Sequence, residues 1–169
     1  MENFVFAFVF LVFGLAVASD LLKEKIPNAM TVVAFLVGIA FQSYSSGISG
    51  MLSGLGSALC ALVIFGALFR FRWVGGGDVK LMMAVCSFYD PVQALMISAF
   101  GIAFGAVTSP LIAILRMGWQ PLLITLKRYR MMAAFRTYIA PESSEIAGVR
   151  VPYAPALALG WLFYVLQIG

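Results

Sequence analysis

Uncharged apolar runs of nearly bilayer length divide this chain. Phe4 to Ala18 carries no charge, and neither do Ala29 to Tyr44 or Met51 to Phe69. A spanning helix needs about 20 mostly apolar residues. In lipid every backbone N–H and C=O must be satisfied internally, which a helix does within one segment. Composition agrees. Of 169 residues, 63% are hydrophobic and 11% charged, whereas a soluble domain averages about 45–50% apolar and about 25% charged. So few charges cannot cover a water-facing surface, and a single all-α membrane domain over residues 1–169 is expected. Ala16-Val17-Ala18 has the form of a signal-peptidase site. The residues before it hold Glu2 and no Lys or Arg, so the first run is read as a retained helix.

The remaining elements follow from breaks in this pattern. Ser19 to Asn28 is polar, and Pro27-Asn28 suits a turn into a second helix, about Ala29 to Tyr44. Ser43 to Gly50 is small and uncharged, a tight connection to a third helix, Met51 to Phe69. Arg70, Arg72 and the run Gly75-Gly76-Gly77 then interrupt it. Asp78 reads as an N-cap for a fourth helix ending at Tyr89. That helix is about 18 Å long, short for a bilayer core of about 30 Å. Asp90-Pro91 opens a fifth helix to about Leu115, with a kink expected at Pro110. Leu122 to Ala140 spreads its cations over more than half the helical wheel and fits an interfacial helix poorly. Ala154 to Ile168 gives a sixth helix that opens with Pro152 and Pro155. The phenylalanines of the first helix (Phe4, Phe6, Phe8, Phe10, Phe13) are read as lipid-facing.

Cations set the topology. Lys23 and Lys25 lie between helices one and two. Arg70, Arg72 and Lys80 lie around the start of helix four. Arg116, Lys127, Arg128, Arg130, Arg136 and Arg150 lie between helices five and six. These are all eleven Lys and Arg of the chain. The positive-inside rule places those three loops in the cytoplasm and both termini outside. A five-helix chain would put the last cluster on the wrong side, which supports the short fourth helix. The net charge of +4 is thereby accounted for by cytoplasmic loops, and no nucleic-acid partner is expected.

Histidine is absent, which removes Ser-His-Asp and Cys-His nucleophile systems and every histidine metal site. Cys60 and Cys86 are too few for a four-cysteine zinc site and fall in apolar segments. No metal or cofactor is expected. Two carboxylates remain. In the six-helix topology, Asp20 sits at the cytoplasmic end of helix one and Asp78 at the cytoplasmic start of helix four. If those helices pack, the carboxylates meet. Like charges held close disfavour joint ionisation, so the pair shares a proton. One member then takes a proton from water while the other protonates a leaving amine. The bland alternative is that each Asp merely caps or terminates a helix. Other classes stay open on these residues: a transporter or non-catalytic assembly subunit, and a presenilin-like intramembrane protease. A transporter more often carries a charge near the midplane, and none is found here. A Ser-Lys pair of Ser19 and Lys23 is disfavoured because Lys23 lies in a solvated basic loop.

Three segments carry a resemblance. Ser19-Asp20-Leu21-Leu22-Lys23-Glu24-Lys25-Ile26-Pro27-Asn28 resembles the first signature of the type IV prepilin leader peptidases. Gly75-Gly76-Gly77-Asp78-Val79-Lys80-Leu81 resembles their Gly-x-Gly-Asp-x-Lys motif, and Val151 to Gly160 is similar to their closing Pro-Tyr/Phe-x-Pro segment. The resemblance implies an aspartic endopeptidase with Asp20 and Asp78 as the catalytic pair. Its substrate would be a type IV pilin-like precursor with a short basic leader, cut after glycine at the cytoplasmic face of the inner membrane. Gly75, Gly77, Lys80, Pro152 and Pro155 are the expected substrate-facing residues; the plain alternatives are a loop turn for the glycines and snorkelling toward the cytoplasm for Lys80. Gly75 and Gly77 would admit a close strand, and the prolines would free backbone to pair with it. The large bifunctional members carry paired Cys-x-x-Cys motifs in the first cytoplasmic loop. This chain has no cysteine there, so N-methyltransferase activity is not expected. The short form looks like the small peptidases of tight-adherence (Flp) pilus systems, with archaeal preflagellin peptidases next.

Overall fold

A computed structural model of the chain describes residues 2–23, 25–71, 73–117, 120–135 and 152–167. Six helical stretches are present: α1 Glu2–Lys23, α2 Asn28–Arg70, α3 Gly76–Cys86, α4 Pro91–Met117, α5 Gln120–Phe135 and α6 Ala154–Gln167. Arg72, Arg136, Glu142, Glu145, Arg150 and Val151 lie outside the described residues. The chain forms two compact units: residues 1–105 with 152–169, and residues 106–151.

α2 has 43 residues. Straight, it would be about 65 Å long, twice a bilayer core. Instead it reverses. Ser46 (φ −137°, ψ 16°) and Gly47 (φ 63°, ψ −143°) leave helical geometry, and Gly47 supplies the positive φ that L side chains resist. Gly50 then lies against the backbone carbonyl of Gln42, and Gly54 against Ile39 and Gln42. The expected second and third helices are thus the antiparallel halves of α2, joined where the small, uncharged stretch predicted.

Helix α3, 11 residues long, is surrounded by protein. Val79, Leu81, Met82, Ala84, Val85 and Cys86 are all buried. A helix that ends so early leaves carbonyls that need partners. The turn that follows takes them: the N–H groups of Ser87, Phe88 and Tyr89 donate to Met83, Val85 and Cys86, and the Ser87 hydroxyl to Ala84. That turn is itself held by α2, where Gln42 Nε2 donates to the Phe88 carbonyl at 3.2 Å and the Ser57 hydroxyl to the Tyr89 carbonyl at 2.7 Å. Both donors come from α2, one from each half. Glycines let the helices approach: Gly38 and Gly54 of α2 lie against Ser87 and Phe88, and Gly160 of α6 lies on the backbone of Phe100 and Gly101 in α4.

Trp161, 1% exposed, ties the unit together. Its ring stacks on Phe6 and packs on Phe13 of α1, and its indole N–H donates to the Tyr89 hydroxyl at 2.8 Å. The Phe-rich face of α1 therefore divides. Phe4, Phe6 and Phe10 are exposed, but Phe13 is buried and Phe8 packs on Phe88. A lipid-facing reading of all five is corrected by the pairing of α1 with α6.

Three further boundaries differ from expectation. α1 continues past Ala18 to Lys23, so Asp20 is helical. α4 continues through Pro110 to Met117. α5 forms despite its scattered cations, because Leu, Lys, Arg, Met and Ala are good helix formers whatever their order. In the second unit, the buried Arg128 guanidinium sits 5.1 Å from the Tyr129 ring centre. α1, α2 and α4 are long and apolar enough to cross a membrane, and α6 is a shorter apolar helix.

Candidate active site

Every sequence-predicted site residue falls in the first unit. Asp78 is not the N-cap of α3. The helix starts two residues earlier, with Gly75 at the cap and Asp78 in the third helical position. The cause is a reciprocal loop: the Gly75 N–H donates to Asp78 Oδ2 at 3.1 Å, and the Gly75 carbonyl accepts from the N–H groups of Asp78 and Val79. A Cβ at residue 75 would stand 3.0 Å from Asp78 Oδ2. Asp78 is 6% exposed, and its other oxygen, Oδ1, is buried with no hydrogen-bond partner among the described residues. Buried polar atoms are nearly always satisfied, so such an atom marks a place where a water or a substrate group is accommodated.

Asp20 is half-buried near the end of α1. Its Oδ2 accepts the N–H of Ala154, the first residue of α6, at 3.3 Å. A carboxylate is favoured there by the positive end of the helix. Asp20 and Asp78 lie close enough for the charge of one to act on the other. Residues 58 positions apart, on α1 and α3, thus share one place, with the start of α6 as the third wall.

The glycines and prolines have local explanations of their own. Gly77 packs its backbone against Ile26, where a Cβ would meet the Ile26 Cβ at 3.2 Å. Lys80 is exposed, and its Nζ donates to Asn28 Oδ1 at 2.9 Å. Pro152 is buried ahead of α6, and Pro155 occupies its first turn, where a missing N–H costs nothing. The prolines open the helix and do not interrupt it.

One residue escaped the sequence reading. Tyr153 holds the first turn of α6 through its carbonyl, which accepts from Ala156 and Leu157. Its half-buried side chain lies within electrostatic reach of Asp78, and its hydroxyl rests on Gly105 of α4. In the sequence it is only the tyrosine between two prolines, because the groups it meets come from α3 and α4. An apolar furrow of about 570 Å³ on the outer face of α1 (Phe6, Ala7, Phe10, Leu11, Gly14, Leu15) holds no polar side chain and offers no chemistry.

The type IV leader peptidase family matches residues 6–110, more than half of the chain and both aspartate segments. This chain belongs to that family. The leader peptidase match stops before the Pro-Tyr segment that walls the site. A prepilin peptidase, EppA of Methanocaldococcus jannaschii, is 25% identical over 176 residues, covering 98% of this chain and 47% of the relative. The chain spans about half the length of that relative. No solved structure matches. As a leader peptidase family member, the chain is classed with the peptidases, which are hydrolases, and its apolar helices suit a membrane protein.

Proposed function

We propose that this protein is a membrane aspartic endopeptidase that removes the short basic leader of type IV prepilin-like precursors, using Asp20 and Asp78 to activate water. The observation that carries the reading is that Asp20 and Asp78 lie within electrostatic reach of each other, with Oδ1 of Asp78 buried and without a hydrogen-bond partner among the described residues. In this mechanism a water sits between them. One carboxylate takes a proton as the water oxygen bonds to the scissile carbonyl carbon. The other gives its proton to the departing amine, and the C–N bond breaks. The balance is one water consumed and two chain ends released, with no metal or cofactor called upon. The first loop, short and without cysteine, favours a subtype similar to the Flp pilus peptidases.

In this reading six helical crossings of the cell inner membrane leave both termini outside and the site at the cytoplasmic face. The exposed turn at Ser46 then lies outside, and Lys23 and Arg70 inside. Cysteine-accessibility labelling in intact cells should label Ser46→Cys from outside and spare Lys23→Cys and Arg70→Cys. Outside labelling of position 70 overturns the topology.

The substrate presents an extended leader, its hydrophobic helix staying in the bilayer. We assign Gly75, Pro152 and Pro155 to its path; Gly77, packed under Ile26, and Lys80, bonded to Asn28, are left out of it. Co-expression with a candidate prepilin, a mobility assay and mapping of the new N-terminus test the function. Cleavage should follow a glycine, and a bulky residue there should block it. A cut mapping inside the substrate's membrane helix would favour the presenilin-like alternative.

A further inference from the structure

The segment between α1 and α2 is fastened at both ends. The Ser19 hydroxyl, one residue before Asp20, donates to the Lys25 carbonyl at 2.7 Å. Ile26, next in the chain, packs on the backbone of Gly77, one residue before Asp78. Asn28 then accepts the Lys80 ammonium at 2.9 Å, and its own carbonyl is held by the Thr31 hydroxyl at 2.9 Å. A strap of four residues, Lys25 to Asn28, therefore runs from the neighbour of one aspartate to the neighbour of the other. Without it, α1 and α3 would be held near the carboxylates only through α6 and the core. Lys80, a little over half a helical turn from Asp78, faces the strap, and its ammonium donates to a neutral amide. That is the arrangement of a fastening, one charge-assisted hydrogen bond over a close apolar contact.

We propose that Lys80 and Asn28 are positioning residues: they hold the Lys25–Asn28 strap on α3 and thereby fix the separation of Asp20 and Asp78. This rests on the peptidase reading above and extends it to residues that touch no substrate. It gives Gly77 a part in the fastening, since a Cβ there would stand 3.2 Å from the Ile26 Cβ and press on it. The strap stays closed through the reaction, because the carboxylates must keep their spacing while water adds.

The test uses the full chain in membranes, in a Cys60→Ala, Cys86→Ala background, with a cleaved prepilin as substrate. Lys80→Met keeps the stem and removes the donor, and Asn28→Leu removes the acceptor. Each should lower kcat by about tenfold with KM changed less than about twofold, the pattern of an interaction that matters in the transition state. Because both break one bond, the double variant should be no worse than the poorer single. Lys80→Arg, which keeps a donor, should recover most of the loss.

The second arm replaces the fastening by a covalent bond. The Cβ of residue 26 and a Cβ placed on residue 77 are 3.2 Å apart, close to the roughly 3.5–4.5 Å of a disulfide. Ile26→Cys with Gly77→Cys should cross-link on mild oxidation. Added to Lys80→Met, the oxidised pair should restore kcat, and reduction should abolish the rescue. A cross-link that forms but fails to rescue, or that abolishes cleavage in the Lys80 parent, overturns the proposal. So does additive loss in the double variant. Failure of the peptidase reading looks different: the unmodified chain cleaves no prepilin, while the cross-link still forms and its yield still falls with Lys80→Met.

Discussion

Asp20→Asn and Asp78→Asn should each reduce prepilin cleavage by at least about 10³-fold, within the range attributed to a general acid or base, with membrane levels unchanged. Asparagine is the informative substitution because it preserves the structural bonds. Its side-chain oxygen can still accept the Ala154 N–H at position 20 and the Gly75 N–H at position 78. The capping interactions survive and only the ability to gain and lose a proton goes. A purely structural role for either residue predicts near-normal cleavage by its Asn variant. The readouts are the ratio of processed to unprocessed prepilin and the amount of enzyme in the membrane fraction. Substantial cleavage by either variant ends the two-carboxylate mechanism.

Gly160→Val should be the most damaging substitution outside the aspartates. A Cβ at residue 160 would stand 2.5 Å from Gly101 N, 2.6 Å from Gly101 Cα and 2.7 Å from the Phe100 carbonyl carbon. All three are backbone atoms in a helix, so no side chain can swing aside and α6 itself must move. Overpacking of this kind costs about 1–3 kcal/mol, more for a branched residue against backbone. The apparent Tm in detergent should fall by about 5 °C or more. Because the N-terminus of α6 donates to Asp20, cleavage should fall too. Gly66→Ala is the control. Nothing lies within 4 Å of that position, and an alanine in a helix interior is favoured over glycine by about 0.5–1 kcal/mol. Equal Tm values for the two variants would show that the α4–α6 contact is not as tight as described.

Much of this architecture was legible because lipid leaves the chain few choices. Uncharged runs located α1, both halves of α2, α4 and α6, and the Ser43–Gly50 stretch marked where α2 reverses. The approach of Asp20 to Asp78 was anticipated too, because the cation pattern was read as setting both at one depth. What escaped was local. No spacing rule tells whether Asp78 is the cap or the third residue of its helix, because Gly75 and Asp78 satisfy each other only once the turn exists. The stripe of five phenylalanines on α1 looked uniform, but Trp161 from the far end of the chain buries one flank of it. Tyr153 and the Lys80–Asn28 bond were hidden for the same reason: each depends on a partner from another element. The helix at Gln120–Phe135 was missed because periodicity, the main signal elsewhere, is weak there.

Helix α3 carries an aspartate, a lysine and two glycines in 11 residues. Such a segment has little tendency to leave the translocation channel for lipid unaided. The Ser87–Tyr89 turn that ends it is held by Gln42, Ser57, Gly38 and Gly54, all in α2. Those residues precede it in the chain and emerge from the ribosome first. The order of synthesis therefore supplies the receptor before the segment that needs it, and membrane entry of α3 becomes a docking event between two parts of one nascent chain. A chain whose α2 hairpin is spoiled should strand α3 in water, and with it one of the two aspartates.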